Sequence, residues 1–124
     1  MKKILIVDDE KDLCFFLKTN LEAAGEYNVI TATEGKAGIH AARHHLPDLI
    51  LLDVMMPGMD GLEVLKRLKE DEKTMSIPVV MLTGVGDDEA RLKALGYFNE
   101  DYIVKPVTLS FLKSRIRDIL MKKR

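Results

Sequence analysis

Five short apolar runs recur along the chain, separated by segments in which apolar residues return every three or four positions. The runs are Ile4–Val7, Asn28–Ala32, Leu49–Asp53, Pro78–Thr83 and Tyr102–Pro106. Aliphatic runs of this length, without polar alternation, are what strands covered on both faces require. Between the first two, Leu13, Phe16, Leu17, Leu21 and Ala24 mark a helix from Lys11, with Gly25 as its stop. Thr33 offers a cap for a second helix, with Lys36 where a capping box would carry Glu. The small residues Ala37, Ala41 and Ala42 predict that this helix packs closely on the sheet before ending near His44-His45-Leu46-Pro47. A turn at Gly58-Met59-Asp60-Gly61 precedes a third helix carrying Leu62, Leu65 and Leu68. A fourth helix is predicted from Asp88 to Leu95, short because Gly96 can close it. Thr108 caps a last one, with Leu109, Leu112, Ile116, Ile119 and Leu120 on one face.

Strands alternating with helices predict an α/β fold in three layers, a parallel five-stranded sheet with helices on both sides. Right-handed crossovers restrict its topology, and the flavodoxin-like, doubly wound order 2-1-3-4-5 sets the ends of strands one and three side by side. At 124 residues the chain reads as a single domain, residues 1–124. A net charge of −1 argues against bulk attraction to nucleic acid or an anionic membrane surface. Cys14 is the only cysteine, which fits a reducing cytosol, and no apolar run approaches the roughly 18 residues of a membrane span. A cytoplasmic location is expected. His44 and His45 end a helix, and with His40 they read as serving the dipole and solvent rather than a metal.

The chemistry lies at the carboxyl ends of the predicted strands. Asp53 closes the most apolar run and is followed at once by a Pro-Gly loop; its plainer reading is a cap for the next helix. In the expected strand order, however, Asp8 and Asp9 lie beside it, with Thr83 next along and Lys105 beyond. Three clustered carboxylates repel one another and raise at least one pKa unless a cation is present. Oxygen ligands at this density suit a hard divalent ion, and a water-open site favours Mg²⁺ over Ca²⁺. An Asp carboxylate can attack a phosphoryl group. Lys105 would then offset charge on the transferring oxygens, while the Thr83 hydroxyl and loop amides donate to them.

With these stretches in view, the sequence resembles the receiver domain of bacterial two-component response regulators, chemotaxis-regulator-like in extent. The resemblance runs from Ile4 to Leu120 and rests on Ile6-Val7-Asp8-Asp9-Glu10, Leu52–Gly61, Leu82-Thr83 and Tyr102-Ile103-Val104-Lys105-Pro106. It implies a signalling protein rather than a turnover enzyme, with Asp53 as phosphoacceptor from a histidine of a sensor kinase or histidine phosphotransfer protein. It further implies Mg²⁺ on Asp8, Asp9, Asp53 and the Met55 backbone carbonyl, and phosphate contacts from the Met55 and Gly84 backbone. Thr83 and Tyr102 match its switch pair, and Lys105-Pro106 its cis peptide bond. Output would pass through the face made by the fourth helix, fifth strand and last helix, to a protein target or effector domain. The protein would be a monomer or a phosphorylation-dependent dimer.

Departures from the family pattern are Gly84 where alanine is commoner, Val107 where Phe is frequent, and the early Gly96. Met55 and Val85 are apolar at positions flanking the path of attacking water, which predicts a long-lived phosphoryl group. A flavin-binding rival is disfavoured because Asp8-Asp9-Glu10 would repel phosphate. A phosphatase with an Asp nucleophile on strand one would want a better acid-base residue than Glu10. A receiver-like module that has lost phosphorylation would lack an acceptor, a metal carboxylate or the lysine, and all are present. With Lys122-Lys123-Arg124 directly after the last helix, a stand-alone regulator is preferred over an excised receiver of a longer one.

Overall fold

The computed structural model describes residues 1–84 and 101–122. Five strands form one parallel sheet: β1 (Lys2–Val7), β2 (Tyr27–Ala32), β3 (Leu49–Asp53), β4 (Val79–Thr83) and β5 (Asp101–Val104). Their order is β2-β1-β3-β4-β5, the doubly wound arrangement expected from the alternation of elements. Among the described residues the helices are α1 (Lys11–Glu22), α2 (Gly35–His45), α3 (Gly61–Glu70) and a C-terminal helix (Leu109–Met121). The helix expected over Asp88 to Leu95, its Gly96 stop and Val85 lie outside the described residues.

Strand β3 shows why its sequence does not alternate. Leu49 and Leu51 join a cluster with Leu17, Leu21, Leu112 and Ile116 from α1 and the C-terminal helix. Ile50 and Leu52 join another with Ala42, Val64, Leu65 and Leu68 from α2 and α3. Every residue of the strand is buried, so both faces need apolar side chains. The backbone register sets Val7 beside Leu52 and Asp53 beside Leu82. The carboxyl ends of β1, β3 and β4 therefore finish level with one another.

Local details depart from the sequence reading in several places; Thr108 holds the cap position of the C-terminal helix but makes no side-chain cap bond. Phe16 is 46% exposed, and Cys14 takes the inward position with Leu17 and Leu21. These three follow an i, i+3, i+7 stripe that Phe16 flanks, so spacing from Leu13 picked the wrong edge of the helix. Thr33 does not cap α2; the cap position is Glu34, extended and without a side-chain bond. Close packing of α2 comes from the expected Ala42 together with Gly35 and Gly38, whereas Ala37 is exposed. A Cβ on Gly38 would stand 2.7 Å from Val7 Cγ1. Finally, β5 ends at Val104, leaving Lys105 and Pro106 in the loop beyond it. Gly25, by contrast, has a φ of 76° past the end of α1 and donates its N–H to Glu22 O at 3.0 Å, as a helix stop should.

Candidate functional site

The loop leaving β1 is bent by Asp8 itself. Its Oδ1 accepts the Glu10 N–H at 2.9 Å, and its own N–H donates to Ala32 O at 3.0 Å. The first bond is an Asx-type turn, which carries the chain into α1 at Lys11. Cys14 Sγ donates to the Asp8 carbonyl at 3.3 Å. Asp8 is fully buried as a result, with Asp9 half-buried and Glu10 exposed beside it.

Asp53 ends β3 at 4% exposure, and it is not a helix cap. Asp60 fills that role for α3, accepting the Glu63 N–H at 3.0 Å. The turn between them is tight. Val54 donates to Leu82 O at 3.0 Å, and Gly61 donates to Val54 O at 2.8 Å. A Cβ on Gly61 would fall 2.0 Å from the Asp53 carbonyl oxygen, so only glycine fits the start of α3 against the acceptor strand.

The chain enters Lys105 from β5, where its N–H donates to Thr83 O at 2.7 Å. The Lys105-Pro106 peptide bond is cis. From there the Lys105 ammonium reaches three carboxylates: Glu10 Oε1 at 2.6 Å, Asp8 Oδ2 at 3.0 Å and Asp53 Oδ1 at 3.4 Å. Burial alone would push this ammonium's pKa down, but its hydrogen bond to Glu10 and the carboxylate charges of Asp8 and Asp53 outweigh it and hold it above its ordinary value. Burial first, and then the charge of Asp8, push the Asp53 carboxyl up to about 7, against the opposing pull of Lys105. A hydrogen bond with Asp9 also favours the protonated form.

A pocket of about 280 Å³ opens over these groups, lined by Asp9, Glu10, Asp53, Met55, Gly84 and Lys105. Carboxylate oxygens of Asp8, Asp9 and Asp53 lie within 4.8 Å of one another. Asp8 Oδ2 is buried and makes no hydrogen bond among the described residues; the lysine contact is an ion pair outside hydrogen-bond geometry. Three converging carboxylates share a single ammonium, so the cluster has room for a further positive charge. The donor set is all oxygen, which fits a hard divalent cation such as Mg²⁺.

Asp8, Asp9, Asp53 and Lys105 come together, and the two residues expected as a switch pair lie outside the pocket lining. Thr83 is fully buried, its Oγ1 has no hydrogen-bond partner among the described residues, and it is absent from the pocket wall. Tyr102 is half-buried on β5 and packs against the cluster shared by α2 and α3. Glu10 is the residue that sequence reasoning undervalued. Its signal was the Asx turn: a side chain two positions after Asp8 is thrown back over the strand ends.

The described residues include no helix long and apolar enough to cross a membrane. A family model described as the response regulator receiver domain matches residues 4–117. The alkaline phosphatase synthesis transcriptional regulatory protein PhoP of Bacillus subtilis is 39% identical over 121 residues, covering 98% of this chain and 49% of that protein. The chain spans about half the length of the curated relatives it matches. A two-component response regulator from Clostridium difficile superposes with a TM-score of 0.90 at 30% identity, covering 98% of each chain. The chemotaxis protein CheY4 of Vibrio cholerae gives 0.89 at 28% identity, covering 96% of this chain and 98% of that one.

Proposed function

Because the chain belongs to the response regulator receiver family, we propose that Asp53 is the residue of this phosphoacceptor domain that takes the phosphoryl group. The observation that supports this reading best is the placing of the Asp53 carboxylate. It is buried at a strand end, 3.4 Å from the Lys105 ammonium and within reach of Asp8 and Asp9. An Asp53 Oδ atom attacks phosphorus, a new O–P bond forms, and the donor's N–P bond breaks. The bond's electron pair leaves on the imidazole nitrogen of the phosphohistidine. Lys105 offsets charge that builds on the phosphoryl oxygens, and the backbone N–H groups of Met55 and Gly84 are proposed as donors to them. Asp8, Asp9, Asp53 and the Met55 carbonyl would hold Mg²⁺, which supplies charge neutralisation on the phosphoryl oxygens and keeps Asp53 ionised.

The donor is proposed as a sensor histidine kinase or a histidine phosphotransfer protein. Thr83 and Tyr102 are proposed to carry the response from the site toward β5. The orphaned Thr83 hydroxyl supports its part, since it has a hydrogen bond to gain by moving toward phosphate. Output then passes to a protein target or an effector domain, with a monomer or a phosphorylation-dependent dimer as the assembly, in the cytoplasm. The mass of the native protein in its source cell distinguishes a stand-alone regulator from the receiver of a longer one. The test of the site is direct. Acetyl phosphate with Mg²⁺ should add one phosphoryl group per chain, and labelling that persists in Asp53→Asn would reject the assignment.

A further inference from the structure

Lys105 has three ammonium hydrogens and, in this structure, three carboxylate neighbours. An ammonium offers three donors and no acceptor. Glu10 Oε1 accepts one of them at 2.6 Å, while Asp8 Oδ2 and Asp53 Oδ1 face the ammonium as ion pairs at 3.0 and 3.4 Å. A phosphoryl group on Asp53 brings three strong acceptor oxygens to the same place. These oxygens compete with the carboxylates for the one ammonium, so as Lys105 turns toward them its tightest contact has to loosen.

The three carboxylates are not equally free to let go. Asp8 is fully buried and tied to the Glu10 N–H, and Asp53 is fixed at the end of a strand buried on both faces. The Glu10 side chain is 59% exposed at the rim of the pocket, although it makes the shortest contact. Released, it passes into water at little cost, whereas releasing Asp8 would strand a buried charge. We propose that Glu10 is the exchangeable partner of Lys105. It holds the ammonium across the unphosphorylated site and yields it to a phosphoryl oxygen as Asp53 is modified. The inference rests on Asp53 being the acceptor. Glu10 is thus a positioning residue, acting on Lys105 and not on the reacting atoms.

The sign follows from the geometry. Without the Glu10 charge, Lys105 keeps two buried carboxylates to position it and loses only the competitor for phosphate. An anionic donor also meets one negative charge fewer at the rim. Glu10→Gln should therefore phosphorylate faster, by about two- to fivefold, the range of a part-exposed ion pair. The experiment measures phosphorylation rates by acetyl phosphate with Mg²⁺, at low and high salt, for wild type, Glu10→Gln, Glu10→Asp and Asp53→Asn. The Gln advantage should shrink at high salt as the charge is screened. The Asp variant, whose carboxylate falls one methylene short, should lie between. A second readout needs no phosphate or metal: reductive methylation of Lys105, mapped by peptide mass, should be faster in the Gln variant. A Gln variant phosphorylated no faster than wild type overturns the proposal, whatever its methylation rate. Labelling that survives in Asp53→Asn instead overturns the acceptor assignment, so the two failures are told apart.

Discussion

Asp48 and Asp53 bracket the same strand, and they live opposite lives. At the amino end, Asp48 Oδ2 accepts the Lys3 N–H at 2.7 Å, while its own N–H donates to Lys3 O at 2.8 Å. The pair closes a ring in which each charge and dipole has its partner. At the carboxyl end, Asp53 shares one ammonium with two other carboxylates and is driven up to about 7. The residue type is the same, so the difference is the local balance of donors and acceptors. Where donors suffice, a carboxylate is glue. Where acceptors outnumber them, it is ready for a cation and for chemistry.

The comparison breaks most sharply on labelling. Asp53→Asn should abolish phosphorylation by acetyl phosphate, whereas Asp48→Asn should be labelled like wild type. The latter should unfold more easily by about 1 kcal/mol, as a charge-assisted hydrogen bond becomes a neutral one; chemical denaturation measures it. Metal binding comes next. Asp9→Ala should weaken Mg²⁺ at least about tenfold in a titration, and Asp48→Ala should leave it unchanged.

Gly61→Ala tests how closely the acceptor end is built. Its Cβ would meet the Asp53 carbonyl at 2.0 Å, and neither atom belongs to a flexible side chain. A loss of about 3 kcal/mol in urea unfolding is expected, with slower phosphorylation of the folded fraction. The pH response separates the two ends again. The folded pKa of Asp53 is raised above its unfolded value of about 3.9. Its contribution to stability is therefore complete below pH ~4 and is lost as pH rises through about 7. Metal-free wild type and Asp48→Asn should both lose stability across that window, while Asp53→Asn and the Mg²⁺-saturated wild type should be nearly flat. The smallest effect concerns Cys14. Burial, and then the charge of Asp8, push its thiol up to about 11, so iodoacetamide at pH 8 should modify it slowly in the native protein and readily in urea.

Much of this was legible in the amino-acid sequence because strands and motifs are written in contiguous residues. The run Leu49–Asp53 announced a doubly covered strand ending in a carboxylate, and the structure puts it at the centre of the sheet. Asp8, Asp9 and Lys105 could be placed beside it once the flavodoxin-like strand order was assumed. What the sequence hid depends on neighbours distant in the chain. Gly38 is needed because of Val7, and Gly61 because of the Asp53 carbonyl, and no local pattern names those partners. Thr83 was legible as a hydroxyl at a strand end, but its full enclosure was not. Alternation along β4 tells which face a residue takes, not how far its side chain reaches toward the end of the sheet. Thr33 failed as a cap because the chain turns one residue later, at Glu34, and cap chemistry fixes such boundaries only loosely.

The contact between Gly61 and the end of β3 has a further meaning for the fluctuations of the native state. The Gly61 N–H is bonded to Val54 O, and the Val54 N–H to Leu82 O. Val54, the residue after the acceptor, is thus tied through its carbonyl to the first turn of α3 and through its N–H to β4, which couples the two elements. Openings linked in this way behave as one cooperative unit with a single opening free energy. The amides of Val54 and Gly61 should exchange with solvent deuterium at matching rates, and both should slow together when the site is loaded. Two backbone protons then serve as an internal gauge of the acceptor's readiness, legible without any phosphoryl donor.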